Sequence, residues 1–537
     1  MERKALERRT VLKGSAAALG LIGSGASEAS IAAKPAAGEA AQSALPEQLL
    51  AAVDRFRATI PADFEPEYVE HAVIPFFLTS VYEGERPMLP MIGVNFSKEN
   101  ALPYDLMGLI YPDWKPDPEQ GVTVFLQGLD KRGENNLRKR IYFSGVTPDL
   151  YKPMYGAKVA AFFDKILDPQ FADKPFMRHY LDYYFDLYWD LHLGVTGDDI
   201  PFEVRQIGEA FNTVLAYRNP LLPVTHDNYM KVRELIDLLK SWIDERIGDI
   251  QSGKTKNPEK TMAWYWLKNA GDGSHFSKKE VVFECFHNFV ALSQWGNTIF
   301  GIMSRFAEDG GDPAVRASFQ KTMSGNFDAA GGAPFTPLEL FVMELFRVIS
   351  PNGGSISVIH DARTSAYGAS PQQRFGVPLQ RHSYVSTPHT STSFDPVHWK
   401  DPKTFDPQRY LRVPTSAQIN DDKCRQIGLA RCPFDITNFE VKDGRKVDVT
   451  NSGFGTVFAV VDGTSHPVCD YAGFAPFGFG YRRCPGEQLT IQVFEDFLRK
   501  VWRDKIVFRK LNLANPGRVP IGPNAVIADD IGFARSA

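Results

Sequence analysis

Cys484 stands in the stretch "FAPFGFGYRRCPGEQLT" (474–490), behind Phe477, Gly480 and Arg482 and just ahead of a helical run predicted from Pro485. A buried structural cysteine needs none of these neighbours, but a thiolate that ligates iron does. It needs donors near the sulfur to keep it deprotonated, a backbone tight enough to bring the sulfur beneath a flat ring, and a cation for the ring's acid groups. Gly480 and Gly486 permit close backbone approach or a positive φ. Phe477 can lie against the sulfur and exclude water, and Arg482 can reach a haem propionate. A helix starting at Pro485 aims its N-terminal N–H groups and positive dipole end at the anionic sulfur. The chemistry that fits is a non-covalent haem b ligated by Cys484. No Cys-x-x-Cys-His occurs, which excludes covalent c-type haem, and no Cys-x-x-Cys pair favours zinc or an iron–sulfur cluster.

The segment resembles the haem-binding signature of the cytochrome P-450 superfamily, Phe-x-x-Gly-x-Arg-x-Cys-x-Gly, matched at Phe477, Gly480, Arg482, Cys484 and Gly486. Two upstream segments extend the resemblance in the family's order. "ELFR" supplies Glu344 and Arg347, three residues apart and so on one helix face. "SFDPVHWKDPKTFDPQRYL" (393–411) supplies Arg409, which the resemblance implies joins the other two in a buried ionic triad. A closed triad is how a core tolerates three charges. In "GENNLRKRIYFSG" (133–145), Arg140 matches the family's propionate-binding arginine, while Asn136 stands where His or Trp is usual. The resemblance runs from about residue 60 to the end and is strongest in the C-terminal half. It implies a mainly α fold with a minor β part, the cytochrome P-450 architecture.

Where oxygen-activating members carry an acid followed by Thr, after a small Ala/Gly-Gly pair, this chain reads "SQWGNT": Asn297 replaces the acid, Thr298 is kept and Trp295 replaces a glycine. Asn can hydrogen-bond a distal oxygen but cannot give a proton as a carboxylic acid does. The stretch "ECFHNFVALSQWGN" is similar to the same helix in plant allene oxide synthases and hydroperoxide lyases, whose distal Asn, counted from His287-Asn288, falls on Gly296. The resemblance therefore implies a haem-thiolate monooxygenase or peroxygenase acting on an apolar small molecule, with a redox partner if dioxygen is the oxidant. The alternative is an isomerase or lyase of fatty-acid hydroperoxides. A non-enzymatic haem or electron-transfer protein is disfavoured by the aromatic-rich 85–130 region, where the family places substrate-contacting loops.

These residues need elements to hold them. "SKKEVVFECFHNFVALSQWGNTIFGIMSRF" (277–306) is apolar nearly all round and predicts a long central helix. "TPLELFVMELFRVISP" (336–351) predicts a second, stopped by Pro351. "DNYMKVRELIDLLKSWIDERIGDIQ" (227–251) aligns Met230, Ile236, Leu239, Ile243 and Ile247 on one face. "ITNFEVKDGRKVDV" (436–449) alternates around Asp443-Gly444 and predicts a β-hairpin. That hairpin falls in an insert, about 412–472, which makes the 75 residues from Arg409 to Cys484 longer than the family norm. It also carries Cys424, Cys432 and Cys469, of which Cys424 with Cys432 is the simplest disulfide in an oxidising compartment.

The N-terminus, "ERRTVLKGSAAALGLIGSGASEAS", resembles a twin-arginine export signal through Arg8, Arg9, Leu12 and Lys13. Its apolar run is about half of the ~20 residues that span a bilayer, so no permanent anchor is expected. We expect residues 1–45 to be signal and disordered segment, 46–537 to be the haem domain, and the protein to be exported to a periplasm or the exterior. With 60 Lys+Arg against 64 Asp+Glu, nothing points to a nucleic-acid surface. Hydrophobic residues make up 43% of the 537, ample for a large core.

Overall fold

In the computed structural model the described residues are Arg86–Met88 and, from Tyr142 onward, most of the chain to Ser536, the longest breaks falling at 270–277, 359–383, 413–433 and 467–475. Helices dominate: α1 (Ala157–Ile166), α2 (Phe176–Leu193), α3 (Phe202–Tyr217), α4 (Pro223–Gln251), α5 (Met262–Asn269), α6 (Gln294–Phe306), α7 (Pro313–Met323), α8 (Pro337–Ile349) and α9 (Glu487–Arg503). Among the described residues no helix is long and apolar enough to cross a membrane.

Local chemistry sets the helix ends. Thr336 and Glu339 close a capping box ahead of α8, with Pro337 in its first turn, and Ser350 ends it in the left-handed region. Gly194, at φ +72°, ends α2. The start of α2 has no capping side chain of its own. Asp529, near the far end of the chain, accepts from Met177 N at 2.8 Å and Arg178 N at 2.9 Å instead.

On α4, Leu239, Ile243 and Ile247 are buried as their spacing predicts, and Val232, Trp242 and Ile250 join them. Met230 does not, being 45% exposed: the buried face has turned away from it toward the helix's first turns. The core centres on α9, whose Phe494 and Phe497 meet Phe346 of α8 and Phe163 of α1. Burying each such ring stabilises the fold by about 1.5–3 kcal/mol.

The sheets are small and antiparallel. β1 (Arg86–Met88), β2 (Ser355–Val358) and β3 (Tyr384–Thr387) form one. The hairpin expected around Asp443-Gly444 is present as β4 (Phe434–Glu440) on β5 (Lys446–Ser452), with Phe439 opposite Val447. It continues as a meander through β6 (Val457–Val461) and β7 (Thr464–His466). The C-terminal residues add two pairs, β8 (Ile506–Lys510) with β11 (Ile531–Arg535), and β9 (Arg518–Gly522) with β10 (Ala525–Ala528).

Candidate functional site

Cys484 lies two residues before Gly486, the residue that caps α9. The helix begins at Glu487, later than the Pro485 start expected from sequence. The loop behind the cysteine is closed by Cys484 N donating to Phe477 O at 2.8 Å. Phe477 is half-buried and packs on Phe346 of α8, ring centroids 5.2 Å apart, which fixes the loop to the helix that carries Glu344 and Arg347. Gly486 keeps an ordinary negative φ of −84°, so its value is proximity: a Cβ there would sit 3.6 Å from the Cys484 sulfur.

The two described cysteines differ in kind. Cys484 is exposed. Cys285 is fully buried, and burial, with the Glu284 charge behind it, pushes its thiol well up and keeps it protonated. Of the two, only Cys484 sits where a ligand can reach a thiolate, at the positive end of a helix. Tyr142 faces this region. Burial raises its phenol well above the ordinary value, and the nearby Cys484 charge raises it further.

Glu344, Arg347 and Arg409 are brought together. Arg347 grips Glu344 with both prongs, Nε to Oε2 at 2.9 Å and Nη2 to Oε1 at 2.8 Å, and both side chains are fully buried. Arg409 Nε donates to Oε1 at 3.1 Å. Asp406 N and Tyr410 Oη complete the carboxylate's shell at 2.9 and 3.0 Å. Each arginine also donates to backbone carbonyls, Arg347 to Ser393 at 2.6 Å and Arg409 to Thr404 at 2.7 Å. The face of Trp399 lies 5.2 Å from the Arg347 guanidinium carbon and 5.8 Å from that of Arg409. Burial works to lower the Arg347 pKa, but the hydrogen bonds and charge of Glu344 outweigh it and hold it above the usual arginine value. Asp406, Tyr410 and Trp399 were missed as site residues, although all three stand in the quoted 393–411 stretch.

α6 lies across the start of α9. Trp295 Nε1 donates to Thr490 Oγ1 at 3.1 Å, six residues past Cys484, and its ring meets Phe494. Gly296 faces β9, where a Cβ would collide with the Ile521 carbonyl. No side chain fits at the position that the comparison with the plant enzymes marks for Asn. The Asn297 amide donates to Pro351 O at 3.1 Å and to Gln294 Oε1 at 3.4 Å, tying α6 to the segment after α8. Thr298 is buried, and its hydroxyl donates to Gln294 O at 3.1 Å. Arg140, Gly480, Arg482, Cys424, Cys432, Cys469 and the expected signal at 1–45 lie outside the described residues.

No family model matches the sequence, and no curated protein matches it. Solved structures do. The retinoic acid-bound cyanobacterial CYP120A1 aligns over 86% of this chain and 88% of its own, at 14% identity and a TM-score of 0.53. A cytochrome P450DA heme domain aligns over 86% and 87%, at 11% identity and a TM-score of 0.52. A zebra fish cytochrome P450 structure with progesterone aligns over 91% of this chain and all of its own, at 13% identity and a TM-score of 0.54. The mostly helical chain with its small sheets has the cytochrome P450 fold.

Proposed function

We propose that this chain is a haem-thiolate oxidoreductase of the cytochrome P450 type, with Cys484 as the axial ligand. The observation that carries the reading is the exposed Cys484 at the N-terminal end of α9, on a loop closed by Phe477 and anchored to the Glu344–Arg347 helix. The residues present fit the group: Gly486 sets no side chain beside the sulfur, Phe477 O holds Cys484 N and closes the loop, and the helix end favours a thiolate. Arg482 and Arg140 are the proposed propionate partners, and Gly480 the point of close backbone approach. When bound, haem supplies an iron centre that activates an oxygen donor for insertion into, or rearrangement of, an apolar organic substrate.

Among oxidants, the geometry favours a hydroperoxide. Asn297 and Thr298 are the proposed distal pair, yet neither is an acid. The Asn297 amide is committed to Pro351 and Gln294, and the Thr298 hydroxyl to Gln294. Such a pair positions α6 and accepts hydrogen bonds, but it does not relay protons as a carboxylic acid does. A hydroperoxide brings its oxygen already reduced by two electrons from the dioxygen level, so it needs neither an external electron donor nor the protonation of bound dioxygen. The proposed export through residues 1–45 points the same way, since it separates the protein from nicotinamide-linked electron donors.

The test is to mix the purified ferric holoprotein with a fatty-acid hydroperoxide, without reductant, and follow loss of the hydroperoxide and the products formed. Rearranged products would favour an isomerase or lyase. An alcohol plus an oxygenated second substrate would favour a peroxygenase. No loss, with turnover only when a reductant and dioxygen are supplied, would return the reading to a monooxygenase.

A further inference from the structure

Two files of aromatic rings leave the neighbourhood of Cys484, and their chemistry differs. One runs through Phe477, Phe346, Phe494, Phe497 and Phe508, with Trp295 branching from Phe494. The other holds no phenylalanine. Tyr142 stacks on Trp266 with centroids 5.2 Å apart, Trp266 meets His192 at 5.8 Å, and His192 stacks on Tyr188 at 4.2 Å. Tyr188 then meets Trp189 at 4.6 Å, and Trp189 meets Trp242 at 5.0 Å. In a chain with 39 Phe against 19 Tyr and 8 Trp, a six-ring path without Phe is a selective arrangement.

The inner end is held against α9, the helix that follows Cys484. Gln492 of α9 donates to Val146 O at 2.9 Å, and Gly145 N donates to Tyr142 O at 3.2 Å, so the turn carrying Tyr142 is pinned to the helix that follows the cysteine. Gly145 is required there, because a Cβ would come 2.7 Å from the Tyr265 ring. The interior of the path is dry, Trp189 being fully buried, while Trp242 at the outer end on α4 keeps 8% of its surface exposed. Tyrosine and tryptophan are the side-chain rings that give up one electron most readily, and phenylalanine does not.

We infer that Tyr142, Trp266, His192, Tyr188, Trp189 and Trp242 form an electron path between the narrow exposed edge of the otherwise buried Trp242 and the Cys484 site, giving the protein a second activity: one-electron oxidation, across that edge, of phenols too large to enter. The inference rests on the haem-thiolate reading above and takes a hydroperoxide as the oxidant. The reaction balances as one hydroperoxide and two phenols giving one alcohol, one water and two phenoxyl radicals. Each phenol loses one electron, through Trp242, and one proton, to solvent. The hydroperoxide O–O bond breaks, and its two oxygens leave as alcohol and water with the two electrons and two protons taken up. Within the path each tyrosine and tryptophan is oxidised from its inner side and re-reduced from its outer side, His192 only bridging Trp266 and Tyr188, so nothing in the protein is consumed.

The test uses the haem-loaded full chain, cumene hydroperoxide, and a phenol coupled to a long polyethylene glycol chain. Wild-type protein should oxidise the tethered phenol, and Trp242→Phe should lower that rate by about tenfold or more while hydroperoxide loss with a small apolar substrate is kept. Phenylalanine preserves the packing, so a purely structural role for Trp242 predicts no change. A second readout is independent of turnover. With no phenol present, peptide mass spectrometry should find oxygen adducts on Trp242 after hydroperoxide treatment, and Trp266→Phe should remove them. Hydroperoxide loss with an unmodified Trp242 and an unchanged tethered-phenol rate in Trp242→Phe would overturn the inference while leaving the haem-thiolate reading intact. If wild-type protein neither consumes the hydroperoxide nor changes its absorption spectrum, the hydroperoxide reading fails, and this inference with it.

Discussion

Single side chains here carry unequal weight. Cys484→Ser should abolish the absorption band that reduced, carbon monoxide-bound haem shows with a thiolate ligand, while helix content by circular dichroism stays near wild type. Retention of the band would remove Cys484 from the ligand position. Glu344 is a different case, because one carboxylate receives Arg347, Arg409, Asp406 N and Tyr410. Glu344→Ala leaves buried guanidinium charge uncompensated, and we expect denaturant unfolding to report a loss of about 3–5 kcal/mol. Arg347→Lys should fare almost as badly, since an ammonium cannot span both carboxylate oxygens as the guanidinium fork does. The partners of Arg347 and Arg409 were legible in the sequence as a family pattern. The fifth-donor role of Tyr410 was not, because a tyrosine following an arginine reads as an ordinary flanking aromatic.

At the scale of elements, α8 and the β4–β5 hairpin were legible because punctuation and periodicity agree: Thr336, Pro337, Glu339 and Pro351 bracket one, and alternation on either side of Asp443-Gly444 marks the other. The face of α4 was legible only in its C-terminal half, since Met230 fits the period but has no partner surface over it. The orientation of α6 was hidden from sequence, as nearly every residue on it is apolar or small and tertiary contacts alone decide which face meets α9. Asn297 shows the consequence. Its amide joins α6 to Pro351, so Asn297→Asp removes a donor and sets a carboxylate against a carbonyl. We expect a loss of about 1–3 kcal/mol in thermal or denaturant unfolding, with hydroperoxide turnover falling in the same variant. Unchanged stability would mean that the tie to Pro351 contributes nothing. Raised reductant-driven turnover would instead favour dioxygen as the oxidant.

For the molecule as a whole, one contribution to pH dependence comes from buried acids whose protonated form burial favours. Burial pushes Glu495 on α9 up to about 8, against the pull of Arg499, and burial raises Glu339 and Asp529 as well. Between the unfolded carboxyl value of about 4.3 and the folded value, the native state binds more protons than the unfolded chain. The stabilisation is therefore complete below the unfolded value and is lost as pH rises toward 8. Urea midpoints measured from pH 5 to 8 should fall, and Glu495→Gln should flatten that decline; an unchanged slope would remove Glu495 from the account. The remote cap on α2 bears on when this protein can exist at all. Asp529 supplies the first turn of α2 with its acceptors from 352 residues away, and Tyr151 reaches Asp496 across 345. Until Asp529 has been made, the first turn of α2 lacks the acceptors that cap it, and the Tyr151 hydroxyl lacks its partner until Asp496 has been made. Contacts of such long range form late, so the interval of synthesis between α2 and Asp529 is one in which this helix end stays uncapped and open to wrong partners.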